Sequence, residues 1–187
     1  MPLPITLLPT PSLRSPSAVI SGAQIATLEL QSFLQDMIPT MYFEEGIGLA
    51  APQVAHNVRA CVIGKKAIPP KAKIPGREYP NRTDLILLNP TYEVLSRKEQ
   101  SDTEGCLSVP GFYGKVARHR DLLVKALNEK GESIEFEAHG FFARVIQHEI
   151  DHLNGILFID RAKDLFQTEH RKYLAPEVVV KNVNHID

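Results

Sequence analysis

The chain contains no tryptophan and only two cysteines in 187 residues. Cys61 and Cys106 are too few for a disulfide framework, so a reducing compartment is expected. No apolar run approaches the ~20 residues a membrane helix needs, and no internal repeat is present. Charge of one sign is also missing: 21 basic against 22 acidic residues leave a net charge of −1. That balance gives no electrostatic case for nucleic acid or for an anionic membrane as a partner. Before Arg59 the only basic residue is Arg14, amid Pro2, Pro4, Pro9, Pro11 and Pro16. Such a start lacks the basic flank of a signal peptide and the arginines of a transit peptide.

What is present is Gln147-His148-Glu149-Ile150-Asp151-His152. HExxH on a helix sets two imidazoles one turn apart facing one point, the arrangement of a divalent metal site. Glu149 follows the first ligand, so its side chain leaves the ligand face yet stays near enough to exchange a proton with a water on the metal. The pattern predicts hydrolysis. Ala143, Val145, Ile146, Ile150 and Leu153 recur at helical spacing, and Asn154-Gly155 supplies a left-handed stop, which predicts a helix over 141–154.

Two ligands from one helix require a third from elsewhere. A metzincin would place a histidine where this chain has Phe158. Thermolysin-like enzymes use a downstream glutamate, for which Glu169 and Glu177 can be nominated, though neither looks placed in a site. Upstream, Glu-Gly-Cys-Leu-Ser-Val-Pro (104–110) carries Cys106 in a short segment between glycine and proline. Its thiolate would complete an open, catalytic set with the two histidines. A lone cysteine is also commonly a buried small hydrophobe, and on this segment alone both readings stay open. Cysteine with two histidines suits zinc by ligand type, although ligand preferences overlap among first-row ions.

A third segment, Gly-Ile-Gly-Leu-Ala-Ala-Pro-Gln (46–53), combines small residues that let backbone approach a ligand with Gln53, both donor and acceptor. These three segments, in this order, closely resemble the signature motifs of the peptide deformylase family, over roughly residues 5 to 160. The resemblance implies Cys106, His148 and His152 as metal ligands and Glu149 as general base and then acid. It implies Gln53, through its side chain, and Leu107, through its backbone N–H, as donors to the developing oxyanion. The implied reaction removes the formyl group from formyl-methionyl nascent peptides, a hydroxide on the metal attacking the formyl carbon and formate leaving. Fe²⁺ is the implied ion, with Ni²⁺, Co²⁺ or Zn²⁺ as substitutes. Ile47, Phe141 and Val145 match the side-chain pocket for methionine, and Gly48 matches the position that binds peptide backbone. A cytoplasmic bacterial setting is implied, without direct nucleic-acid or membrane contact. The ribosome enters as a partner through the nascent chain, but the tail (162–187) diverges from the long basic helix of many members, so docking through it is not expected.

The expected architecture is one α+β catalytic domain over 1–187, antiparallel sheets packed around the central metal-binding helix. An amphipathic helix is expected over 25–41, kinked or shortened by Pro39. Strands are expected at 59–63, 84–88, 91–97, 121–127 and 132–138, with a turn at Asn128-Glu129-Lys130-Gly131. Residues 65–82 read as an extended surface loop bordering the peptide cleft. A short helix to about Tyr173 and a strand at 178–180 are expected in the tail. His56, His119, His139, His170 and His185 lack ligand-like spacing and read as surface or structural histidines, and Arg118 and Arg144 as partners of carboxylates. Two rivals are a metallopeptidase sharing HExxH and a catalytically dead relative, the latter weakened because every ligand and Glu149 are present.

Overall fold

The computed structural model describes residues 1–77 and 83–167, and within them the fold is α+β. Strands β1 (Gly48–Ala50), β2 (Ala60–Ile63), β3 (Leu85–Val94), β6 (Asp121–Leu127) and β7 (Ser133–His139) form an antiparallel sheet in the order β1-β2-β3-β6-β7. Strands β4 (Glu99–Cys106), β5 (Val109–His119) and β8 (Lys163–Gln167) form a second sheet in the order β4-β5-β8. The helices are α1 (Gly22–Ile25), α2 (Leu28–Phe43) and α3 (Gly140–Leu153). No described helix is long and apolar enough to cross a membrane.

The two-residue period of the strands sorts side chains onto two faces of the five-stranded sheet. Cys61, Ile63, Leu85 and Leu87 join Val124, Phe136, Phe142, Ile146 and Ile150 in the core under α3. Ala60, Val62, Ile86 and Leu88 face the other way, onto Phe33, Leu34, Met37 and Met41 of α2. β2 is therefore buried on both faces, and Cys61 sits in the core as a small hydrophobe. A third cluster of Leu8, Val109, Phe112, Val116, Leu157 and Phe158 carries Cys106 at its margin and underlies the second sheet. With each buried side chain of this size worth about 1.5–3 kcal/mol, these faces fix where α3 lies.

Several expectations need correction. The helix expected over 25–41 is two: α1, capped by Ser21, and α2, which starts after the Thr27 cap and runs past Pro39 to Phe43. Pro39 removes a backbone donor only on the exposed side. Met37, Thr40 and Met41 are buried, and Thr40 bonds both Asp36 O (2.7 Å) and Leu3 N (2.9 Å), which carries the helix through. The strands expected at 84–88 and 91–97 are one strand with a bulge. Asn89, at φ 50°, clasps Ile20 through both its amide oxygen (2.9 Å) and nitrogen (2.8 Å).

The helix expected after Arg161 is instead the strand β8, as far as Gln167; the remainder of that expectation and the strand at 178–180 lie outside the described residues. The loop at 65–82 does not border the cleft with any described residue. Ala67, Ile68 and Ile74 are buried and tie residues 65–77 to the α3 core, because their apolar side chains gain more from burial than a free loop would keep in entropy.

Candidate metal centre

α3 is held at its C-terminus and through its motif. At its C-terminus Gly155 N–H donates to His152 O (3.1 Å) and Ile156 N–H to Asp151 O (2.9 Å). These are the paired bonds of a Schellman stop, with Gly155 left-handed at φ 74°. A Cβ on Gly155 would lie 2.6 Å from Arg14 O. Gln147, which sequence reasoning left without a role, donates to His119 O (2.8 Å) and accepts from His119 N–H (3.1 Å), lashing the helix to the end of β5.

The third donor comes from the other sheet. The β4–β5 register shifts after Gly105, but Cys106 still pairs with Val109 at the end of β4, and its side chain faces α3. Cys106 Sγ lies 3.3 Å from His152 Nε2, which lies 3.2 Å from His148 Nε2. The three ligand atoms fall within 4.8 Å of one another. Burial pushes the His152 imidazole well below its usual pKa, so the ring is neutral and offers a lone pair. One sulfur and two imidazole nitrogens converging on one point fit a first-row divalent ion. Phe158, where a metzincin would have its last ligand, stacks on His148 with ring centroids 6.4 Å apart.

Glu104 is the residue that sequence reasoning passed over. It accepts from His148 at Nδ1 (3.0 Å), which leaves Nε2 facing Cys106. Arg118 grips the same carboxylate with Nε (3.0 Å) and Nη2 (2.9 Å), and Arg144 adds Nη1 (2.6 Å). Burial resists the charge on Glu104, but the hydrogen bonds from His148 and Arg118 outweigh it and hold the carboxyl well below the usual range. The carboxylate partners expected for Arg118 and Arg144 are thus real. The signal for Glu104 was its place two residues before Cys106 on an extended segment, which puts both side chains on one side.

An open cleft of about 840 Å³ is lined by two of the three donors, Cys106 and His148, with His152 buried behind them. Ile47, Gly48, Gln53, Leu107, Phe141 and Val145 all line it, as do His148 and Glu149. Val145 is buried, whereas Ile47 and Phe141 are exposed at the rim. Ile5, Leu7 and Tyr113 also line the cleft and carried no motif to announce them. Gln53 accepts from Ala50 N–H through Oε1 (2.8 Å), which points Nε2 at Cys106 Sγ (3.5 Å) and Ser108 Oγ (3.3 Å). Glu149 is buried, its Oε2 has no protein partner, and burial pushes its carboxyl up to about 7. A Cβ on Gly48 would lie 2.3 Å from Glu149 Oε1, so glycine is what makes room for that side chain. His56 stacks on Phe33 and His139 pairs with Asp121, both away from the cleft; His170 and His185 lie outside the described residues.

Comparison with known proteins decides what this geometry belongs to. The polypeptide deformylase family model matches residues 2–168. The chain belongs to the peptide deformylase family. It is 38% identical over 169 residues to the peptide deformylase of Psychrobacter cryohalolentis, covering 90% of this chain and 84% of that protein. To peptide deformylase 2 of Gloeobacter violaceus it is 41% identical over 180 residues, 96% of this chain and 86% of the relative. The Met-Ala-Ser-bound crystal structure of the class I type b enzyme from Acinetobacter baumannii superposes with a TM-score of 0.75 at 34% identity, over 86% of this chain and 99% of that one. The chain is therefore a deformylase, a hydrolase that removes the N-formyl group of new polypeptides, and the metallopeptidase reading is set aside.

Proposed function

We propose that Cys106, His148 and His152 hold one Fe²⁺, which Ni²⁺, Co²⁺ or Zn²⁺ can replace, and that Glu149 moves the proton of the reaction. The convergence of Sγ and two Nε2 atoms beneath an open cleft, beside a buried and unpartnered Glu149 Oε2, carries this reading. A bound divalent ion would supply Lewis acidity, lowering the pKa of water and polarising the formyl group.

The chain's own residues do the rest. The formyl-methionyl end enters with its side chain against Ile47, Phe141 and Val145, and Gly48 meets the peptide backbone in a strand-like manner. Glu149 takes a proton from water as the water oxygen adds to the formyl carbon. The side-chain N–H of Gln53 and the backbone N–H of Leu107 donate to the oxygen that becomes negative, each donor worth roughly 3–4 kcal/mol in sites of this kind. Glu149 then delivers its proton to the amine as the C–N bond breaks, releasing formate and a free amino terminus. Glu104 keeps His148 in the tautomer that leaves Nε2 free to hold an ion.

The whole chain acts as one catalytic domain in a bacterial cytoplasm, on nascent chains and hence beside the ribosome. Glu149→Ala tests the assignment. The variant should retain metal by elemental analysis and lose about 10²- to 10⁴-fold in turnover, whereas turnover near that of the parent would refute the role of Glu149.

A further inference from the structure

The ion pairs around Glu104 do not stop there. Asp151, buried on α3 between the two histidine ligands, accepts from Arg118 Nη1. It also accepts from Arg161 in a two-pronged contact, Nε to Oδ2 at 2.6 Å and Nη2 to Oδ1 at 2.7 Å. The contacts form an unbroken line from Arg161, whose side chain is 41% exposed, through Asp151, Arg118 and Glu104 to His148.

Arg118 serves two carboxylates with one charge. Its planar grip on Glu104 uses Nε and Nη2, and only Nη1 is left for Asp151. A buried carboxylate with one donor is poorly compensated. Without Arg161, Asp151 would compete for the rest of the Arg118 guanidinium and draw it off Glu104, loosening the bond that orients His148. We propose that Arg161 is a positioning residue for the metal centre, acting through Asp151, Arg118 and Glu104 on His148. This inference rests on the reading of Cys106, His148 and His152 as a metal site.

Arg161 also opens the segment that becomes β8, and the same segment offers a control. Phe166 stacks on Tyr113, a wall of the cleft, at a centroid distance of 6.0 Å, and has no place in the ion-pair line. A general role for the segment in folding would make the two side chains equivalent. A positioning role makes them differ.

The test uses the full chain loaded with Ni²⁺ and then mixed with a chromogenic chelator, so that metal release is read without any substrate. A failure to deformylate would therefore not be mistaken for a failure of this proposal. Arg161→Gln should release metal several-fold faster, near the low end of the roughly 10- to 100-fold loss seen when partners of metal ligands are removed. Arg161→Lys, which restores charge without the fork, should fall between it and the parent. The Co²⁺ form of Arg161→Gln should show a shifted visible absorption band, reporting altered ligand geometry. Phe166→Ala should release metal at the parent rate. The proposal is overturned by parent-like release and spectrum from Arg161→Gln, with or without a lower melting temperature, or by equal acceleration from Phe166→Ala.

Discussion

His148 and His152 stand on a helix whose other residues, Phe142, Ile146, Ile150 and Leu153, are sunk into an apolar core. Cys106 closes a strand whose residues 99–103 are exposed, and the side chain before Gly105, Glu104, is held by guanidinium groups rather than by hydrocarbon. One half of the centre is positioned by burial, which is non-directional and tolerant. The other is positioned by charge-assisted hydrogen bonds, which fix direction but fail badly when one partner goes. The geometry of three donors within 4.8 Å needs both, since burial alone does not set which nitrogen of His148 faces the cysteine.

The comparison breaks most visibly at Glu104. Glu104→Ala leaves buried Arg144 without a carboxylate and Arg118 with Asp151 alone, and should cost about 3–5 kcal/mol, read by denaturant unfolding, together with weaker metal retention. Phe142→Ala should cost a similar ~3–5 kcal/mol through its cavity, yet below its melting temperature it should keep its metal. Equal metal loss in the two would erase the distinction. The Glu104 effect should also depend on pH. Because its folded pKa is depressed, its contribution is complete above the ordinary carboxylate pKa and is lost as pH falls toward the depressed value, so the gap between parent and Glu104→Gln should narrow on acidification.

Within the half positioned by burial, Gly48→Ala sharpens the contrast. The new Cβ would fall 2.3 Å from Glu149 Oε1, so the carboxylate must swing away. With Glu149 in its proposed role, turnover should drop by about 10²-fold, with metal content intact. The smallest effect lies outside both halves, where Tyr42 O–H donates to Asp84. Burial and Asp84 push the Tyr42 phenol up to about 12. Its contribution, about 0.5 kcal/mol for a solvent-screened contact, is present below the ordinary tyrosine pKa and lost as pH rises through the folded value. Thermal melts of Tyr42→Phe and the parent should differ slightly near neutral pH and converge in strong alkali.

The same division explains what could be read from the sequence. β2, β6, β7 and α3 announced themselves because their periods of 2 and 3.6 follow directly from burying one or both faces. β4 and β8 carry mostly exposed polar residues, so no apolar alternation marks them, and their strand character comes from pairing with β5. Pro39 misled because local propensity was overridden by the buried Met37, Thr40 and Met41 around it. The strands expected separately at 84–88 and 91–97 join through a bulge, where the Asn89 side chain holds Ile20, outside the sheet. The site followed the same rule. Short motifs carried the donors, whereas Glu104, Gln147 and the cleft walls Ile5, Leu7 and Tyr113 depend on contacts between distant segments.

The most direct test of the account is formate release from formyl-Met-Ala-Ser by anaerobically purified protein loaded with Fe²⁺ or Ni²⁺, measured beside Cys106→Ala. The parent should release formate steadily, and the variant should release none and fail to retain the ion. Equal release by both, or no release by a parent shown to hold metal, would contradict the assignment of Cys106, His148 and His152 as the centre that drives deformylation.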